Sequence, residues 1–306
     1  MTIILSISAH GEQRWAAGPY GLFALEDGAL VPTSQPMERL TVCCAIDDRL
    51  LVGGGPRGVA YLHNAGEQWQ AAWMDGASAA ALCLAPHPAV FYTAVLLAGT
   101  EGDGVLRSTD RGHRWTPCNY GLRNYTVLSL AWAPIDPAAR WPGRELVFAG
   151  TEEGIYRSPS GGRGWKRSDS PDAAYQSIAI SPSFHKDGLV LVGTEDQGLW
   201  RSADSGLTFA LVTDAPSRIN SLAALDDGVL SLRRPELVEG SKGGWLLSDE
   251  EQLWRSTDGL SWQPVAGSEP ALVLTPTADG VLAGTENGVQ LLDAGTLAVM
   301  ESYGVA

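Results

Sequence analysis

Short apolar runs recur along the whole chain and are separated by polar, glycine-rich turns. The clearest are residues 80–84 (AALCL) and 127–132 (VLSLAW), whose near-continuous hydrophobicity predicts strands that are covered on both faces. Each is followed by a second apolar run that ends in Ala-Gly-Thr or its equivalent, and then by a turn. A third run, Gly-Val-Leu-Arg-Ser in its clearest copy, leads to a fourth that begins at an aromatic residue. The pattern predicts repeating units of four short strands.

The four-strand unit recurs from one end of the chain to the other. The best copies are residues 96–115, 147–165, 190–209 and 245–262, and weaker copies lie on either side of them. One anchor position can be followed through all copies: Gly18, Gly53, Gly99, Gly150, Gly193, Ser248 and Gly284. The intervals suit the roughly 40 to 50 residues that four short strands and their turns require. The sequence therefore predicts a single all-β domain, a seven-bladed β-propeller of four-stranded antiparallel blades.

The repeat also sets the expected blade limits. We place the blades at approximately 1–35, 36–76, 77–122, 123–170, 171–215, 216–266 and 267–306. Residues 232–242 are polar and have no counterpart in the other units, so we interpret them as a loop inserted into blade six. Apolar runs at both ends of the chain supply a first and a last strand, so the ring is expected to close without exchanging a strand across the seam.

A turn motif supports the repeat. Residues 108–115 fit Ser-x-Asp-x-Gly-x-x-Trp, and three further copies depart from it slightly. A short acidic side chain can accept hydrogen bonds from the N–H groups of its own turn, and glycine supplies the positive φ that closes the turn. We therefore expect a structural role, not a catalytic one, for the motif residues Ser108, Asp110, Gly112, Trp115, Ser158, Trp165, Ser202, Asp204, Gly206, Phe209, Ser256, Asp258 and Trp262.

This motif resembles the Asp-box of the bacterial neuraminidase repeat. The repeats are similar to those of sialidases, sortilin-type receptors, two-propeller xyloglucanases and photosystem II stability and assembly factors. The resemblance implies the propeller fold. The chain lacks the Phe-Arg-Ile-Pro segment of sialidases and has one propeller where the xyloglucanases have two. It also shows no export signal of the kind that assembly factors of the thylakoid lumen carry.

The turn between the second and third strands repeatedly carries an acid. In the usual propeller geometry these turns share one face, which predicts a broken ring of carboxylates formed by Glu101, Asp103, Glu152, Glu153, Glu195, Asp196, Glu250 and Glu286, with Asp249 and Glu251 beside them. Under one hypothesis the ring receives a basic segment of a partner protein. Under the other, each acid is a solvated turn residue that pairs across the hairpin with the repeated arginines Arg107, Arg157, Arg201 and Arg255.

Charge and composition narrow the partner class. The formal charge of -14 disfavours nucleic acid and anionic lipid, which attract clustered Lys and Arg, and no apolar run is long enough to span a membrane. The five histidines and four cysteines show no metal-binding spacing, so we expect no metal and no cofactor. Without an export signal we expect a cytoplasmic, monomeric protein with reduced thiols.

These observations favour a non-catalytic propeller that binds a protein partner as a scaffold or assembly factor. Two other classes remain open, a glycan-binding module and a glycoside hydrolase. A hydrolase needs two carboxylates roughly 5 to 10 Å apart in an open groove lined with aromatic residues. A glycan-binding module needs exposed tryptophans on one face. Because Trp115, Trp165 and Trp262 fall at motif positions where packing explains them, both alternatives are weakened.

Overall fold

Almost all regular structure in the described residues is β-strand. The computed structural model describes residues 2–56, 58–63, 68–135, 145–225 and 244–305. Within these ranges, two single-turn helices interrupt the succession of strands, α1 (Val90–Thr93) and α2 (Phe184–Asp187). The insertion expected at residues 232–242 lies outside the described residues. The expectation of an all-β chain is confirmed.

The strands pair as successive four-stranded antiparallel runs, each of which is called a sheet below and is counted in chain order. The first three runs are β1 (Ser6–His10), β2 (Gln13–Gly18), β3 (Gly21–Glu26) and β4 (Ala29–Pro32); β5 (Arg39–Ile46), β6 (Arg49–Gly55), β7 (Gly58–His63) and β8 (Gln70–Ala71); and, after the short β9 (Trp73–Met74), β10 (Ala81–Pro86), β11 (Leu96–Thr100), β12 (Val105–Ser108) and β13 (Arg114–Pro117). Strand β9 adds to the outer edge of the third run, in parallel with β13.

The same arrangement continues to the end of the chain. The later runs are β14 (Val127–Trp132), β15 (Val147–Thr151), β16 (Gly154–Ser158) and β17 (Lys166–Arg167); β18 (Tyr175–Ile180), β19 (Val190–Thr194), β20 (Leu199–Ser202) and β21 (Ala210–Val212); β22 (Ser221–Leu225), β23 (Gly244–Ser248), β24 (Leu253–Ser256) and β25 (Gln263–Pro264); and β26 (Val273–Thr277), β27 (Gly280–Gly284), β28 (Val289–Leu292) and β29 (Val299–Val305).

The hydrophobic core lies between neighbouring sheets. Every residue of β11, β15 and β19 is buried, which explains why these strands read as unbroken apolar sequence. Leu97 of β11, for example, packs with Val127 and Val147 of the following sheet. Each sheet therefore contributes both of its faces to the core, one to each neighbour.

The first strands of the sheets contact one another in cyclic order. β1 contacts β5, and the contacts continue through β10, β14, β18, β22 and β26 back to β1. At the seam the outermost strands β4 and β29 pair in parallel, with Gly304 opposite Ala29. Among the described residues no strand is exchanged between the first and last sheets. The ring closes by packing, as expected, and this edge pairing adds backbone hydrogen bonds to it.

Candidate functional site

A buried threonine shapes four of the acidic turns. The Thr100 hydroxyl donates to the Gly104 carbonyl at 2.8 Å and accepts from the Asp103 N–H at 3.0 Å. In the next sheet the Thr151 hydroxyl donates to the Gly154 carbonyl at 2.9 Å. The same hydroxyl-to-carbonyl bond recurs at Thr194 and Thr285. The repeated Gly-Thr sequence therefore fixes the backbone of the turns that carry the acids.

Most of the predicted binding acids are exposed to solvent. The exposed ones are Glu101, Glu152, Glu153, Glu195, Asp196, Glu250 and Glu286. In the described parts of the chain, no ion pair involves Glu101, Glu152 or Glu153. These three carboxylates, which lie on two successive sheets, are open to a partner from outside the chain.

Asp103 is used within the fold. Its carboxylate accepts hydrogen bonds from the Ser78 and Ala79 N–H groups, both at 2.7 Å, and so holds the segment that enters β10. The side chain is half-buried. Although the sequence groups Asp103 with the binding acids, its geometry is that of a structural cap.

The positive charge of Arg218 neutralises part of the predicted ring of acids. Arg218 donates to Glu250 at 2.7 Å, and both side chains are more than half exposed. This hydrogen bond raises the pKa of Arg218, and the nearby charges of Asp196 and Glu195 act in the same direction. The acids near Arg218 therefore present less net negative charge than those of the third and fourth sheets.

Three of the repeated arginines donate hydrogen bonds to the following sheet. Arg107 Nε donates to the Gly161 carbonyl at 3.0 Å, and Arg157 Nε donates to the Ser205 carbonyl at 2.9 Å. Arg255 bonds to the Gly295 carbonyl in the same way. Each of these carbonyls belongs to the Asp-box turn, or its equivalent, of the following sheet. Among the described residues, Arg107 and Arg255 form no ion pair with the acids, so the pairing hypothesis is wrong for these two, which link neighbouring sheets at the opposite face.

The first Asp-box copy forms a closed hydrogen-bonded turn. Asp110 Oδ1 accepts from the His113 N–H at 3.1 Å and from the Arg114 N–H at 3.0 Å. The Ser108 hydroxyl donates to the same carboxylate at 2.8 Å and accepts from the Gly112 N–H at 2.8 Å. Three hydrogen bonds on one oxygen therefore tie the Asp110 carboxylate into its own turn.

The other copies repeat this turn with variations. Asp204 and Asp258 each accept two backbone N–H bonds. Burial opposes ionisation of Asp204, but hydrogen bonds from Thr208, Ser202 and Leu207 lower its pKa overall. Bonds from the Ser261 and Leu260 N–H groups lower the pKa of Asp258. In the fourth sheet Ser160 stands in place of the motif aspartate. The serine bond of the motif is kept there, because the Gly162 N–H donates to the Ser158 hydroxyl at 3.0 Å.

The motif aromatics are buried between sheets. These aromatic residues are Trp115, Trp165, Phe209 and Trp262. Gly112 and Gly206 of the motif lie so close to the preceding sheet that a Cβ atom would clash with it. At Gly206, with a φ of +75°, a Cβ atom would lie 2.1 Å from the Phe148 ring. The Asp-box turns thus serve as the contact points between successive sheets.

Sequence reasoning missed two exposed aromatic residues, one of which lies beside an acidic turn. Tyr120 and Tyr125 lie in the link between β13 and β14 and are 85% and 47% exposed. The Tyr125 carbonyl accepts from the Gly104 N–H at 2.9 Å, which places the link against the turn that carries Glu101. The link has no counterpart in the repeat, so the repeat pattern could not single it out.

No protein-family model matches the chain, and no curated protein matches its sequence. Solved structures do resemble it. It superposes on an ancestral GH74 enzyme with a TM-score of 0.73 at 14% identity, covering 99% of this chain and 46% of that one. The extracellular domain of BT4673 from B. thetaiotaomicron gives a TM-score of 0.69 at 15% identity, covering 95% and 39%. YCF48 bound to D1 peptide gives 0.63 at 14% identity, covering 94% and 92%.

The fold is a β-propeller. At these identities the likeness establishes the fold alone, and the chain spans less than half of the GH74 enzyme and of the BT4673 domain. In the described ranges, no three His, Cys, Asp or Glu residues cluster so as to hold a metal ion. No helix in those ranges is long and apolar enough to cross a membrane. Among the carboxyl groups whose pKa shifts, those of Asp75, Asp204 and Asp258 all shift downward, away from what a general acid needs.

Proposed function

We propose that this protein is a non-catalytic, seven-bladed propeller that binds a basic segment of a partner protein through the face carrying the acidic turns. The seven-blade ring is supported by the cyclic contacts of the first strands. In this reading the eight-stranded sheet formed by β1–β4 and β26–β29 is two blades joined at their outer edges. The repeats are Asp-box repeats in which the acid serves the turn.

One observation carries the proposal. Glu101, Glu152 and Glu153 are exposed on turns whose backbone is held by buried threonines, and no ion pair of the described residues neutralises them. Because the backbone of these turns is already fixed, little main-chain freedom is lost when a cation binds to the carboxylates. The formal charge of -14 adds long-range attraction for a basic segment.

An exposed tyrosine supplies a second kind of contact. Tyr125 lies against the acidic turn of the third sheet, and an aromatic ring next to carboxylates suits a cationic side chain with an apolar stem. YCF48, a propeller of similar size, has been solved with D1 peptide bound. A propeller of this kind can therefore present a peptide-binding surface.

The alternative function is glycan binding or hydrolysis, which the fold likeness to a GH74 enzyme suggests. Exposed aromatic rings also stack on sugars, so Tyr120 and Tyr125 are compatible with it. The two classes differ in their dependence on salt, because screening weakens exposed charge pairs and leaves stacking and hydroxyl contacts largely unchanged.

The test is a pair of calorimetric titrations of the full chain, one with a short peptide of alternating lysine and glycine and one with a xyloglucan oligosaccharide. We expect the peptide to bind at low salt and to weaken clearly at about 0.15 M salt. An otherwise identical peptide of alternating glutamate and glycine is the control and should not bind. Salt-independent binding of the oligosaccharide, with no binding of the basic peptide, would overturn the proposal in favour of the glycan class.

A further inference from the structure

Aromatic rings of the Asp-box motif fill the gaps between successive sheets. Trp115 packs in one buried cluster with Leu51 and Tyr61 of the preceding sheet. The equivalent rings Trp165, Phe209 and Trp262 pack in the clusters of the next three gaps. Each of these gaps is therefore shaped to hold one planar ring supplied by the chain itself.

The last sheet forms the same turn without the ring. Asp293 Oδ1 accepts from the Gly295 N–H at 3.1 Å and from the Thr296 N–H at 2.8 Å, so this turn follows the hydrogen-bond pattern of the Asp-box. Leu297 and Ala298 stand where the other copies have the aromatic residue. Leu297 is buried in the cluster of this gap, but its side chain is smaller than an indole ring.

A cavity lies in this gap between β24 and β28. Its volume is about 190 Å³, and its apolar wall includes Leu253, Val265 and Leu292. Its rim is polar, with Gln290 Nε2 donating to Glu269 Oε2 at 3.0 Å. Apolar cavities of about 150 Å³ are large enough to bind a benzene-sized molecule. The space left by the missing ring is therefore large enough for an external one.

We propose that the cavity between β24 and β28 binds a small planar heteroaromatic molecule of indole size that carries an N–H group. The occupant is inferred from the equivalent gaps, three of which hold indole rings of the protein. In two of them the indole N–H finds an acceptor, since Trp115 Nε1 donates to the Gly112 carbonyl and Trp165 Nε1 to the Cys118 carbonyl, both at 2.9 Å, whereas the buried Nε1 of Trp262 has no hydrogen-bond partner among the described residues. In the cavity, the Glu269 carboxylate at the rim is the acceptor. None of the predicted binding acids lines this cavity.

The experiment is a titration of the full chain with indole, followed by ¹H–¹⁵N correlation spectra. We expect saturable binding with a Kd on the order of 1 mM, because a ligand of this size in an open-sided cavity has few contacts. The side-chain amide of Gln290 should shift, together with the backbone signals of β24 and β28. Shifts that are absent, or that lie in other parts of the ring, would overturn the proposal.

Two variants sharpen the test. Ala298→Trp supplies the missing ring from the chain, so indole affinity should fall at least tenfold while the melting temperature rises. Trp262→Ala opens the neighbouring gap and should add a second indole site, which controls for sensitivity. 1-Methylindole, which lacks the N–H, should bind the unmodified protein more weakly than indole. Unchanged indole affinity in Ala298→Trp, or no binding to the unmodified protein while Trp262→Ala binds, would contradict the assignment.

Discussion

The hydrogen bond between Arg107 and the next sheet allows a quantitative prediction of stability. Arg107 is 9% exposed, and its Nε donates to the Gly161 carbonyl at 3.0 Å. Burial lowers the pKa of this guanidinium, and the neighbouring charge of Arg163 lowers it further. Arg107→Met keeps an apolar stem of similar length, removes the charge and leaves the carbonyl without its donor.

The magnitude follows from the bond that is lost. A hydrogen bond from a charged group contributes about 1.5–3 kcal/mol to stability. Part of this loss is offset because the variant no longer has to bury a charged group away from water. We therefore expect Arg107→Met to lower the free energy of unfolding by about 1–3 kcal/mol. Because a domain of this size loses about 2–4 °C per kcal/mol, the melting temperature should fall by several degrees.

The repeat provides a matched control. Arg201 occupies the same place in β20 that Arg107 occupies in β12, but its Nε is buried without a hydrogen-bond partner. Arg201→Met removes a comparable side chain without breaking such a bond, so we expect a change within about 0.5 kcal/mol of zero. Urea titrations followed by tryptophan fluorescence measure both variants. Equal losses of stability in the two would refute the idea that the arginine bond links the sheets.

Three further predictions concern the same fold. Gly206→Ala should destabilise the protein by about 2–5 kcal/mol in a urea titration, because the left-handed backbone and the Phe148 ring both oppose a Cβ atom; an unchanged midpoint would contradict the close contact. The lowered pKa values of Asp204 and Asp258 contribute stability that is present above their unfolded value near 3.8 and is lost as the pH falls below it. Asp204→Asn should therefore reduce the slope of stability against pH in acid melts, and an unchanged slope would count against the turn bonds. Burial raises the pKa of Cys43 to about 12, so its alkylation by iodoacetamide at neutral pH, followed by mass spectrometry, should be slow until the protein unfolds; rapid labelling of the native protein would contradict this.

The sequence predicts local features of this fold well, because each is encoded within a few residues. The Ser-x-Asp-x-Gly spacing predicts a turn whose hydrogen bonds close within it, as the structure shows. The expectation that the first strands at residues 80–84 and 127–132 are covered on both faces is wrong, because most residues of β10 and β14 are only half-buried and the second strands are the fully buried ones. The Gly-Thr repeat marks the acidic turns, although the hydroxyl bond of Thr100 that shapes them is recognised only in three dimensions.

Contacts between sheets could not be read from the sequence in the same way. The direction of the Arg107 side chain depends on the position of the Gly161 carbonyl in the next sheet. Gly161 has a left-handed backbone conformation and lies 54 residues further along the chain. The capping role of Asp103 depends on how the link into β10 folds back. The parallel pairing of β4 with β29 depends on closure of the whole ring. In each case the partner is distant in the chain and carries no signal of its own.

The central claim is that the acidic turns form the binding surface, and paired glutamine variants test it most directly. Glu101→Gln with Glu152→Gln removes two exposed carboxylates from that face. Glu12→Gln with Glu26→Gln removes two exposed carboxylates beside the β1–β2 and β3–β4 turns at the opposite face, and so changes the net charge equally.

The measurement is the dissociation constant of the lysine–glycine peptide for each pair at low salt. Each surface charge pair contributes about 0.2–1 kcal/mol, so the first pair should weaken binding by about 2- to 30-fold. The second pair should leave the dissociation constant nearly unchanged. Equal weakening by both pairs would show that only net charge matters, and no weakening by the first pair would place the binding surface elsewhere; either result contradicts the account.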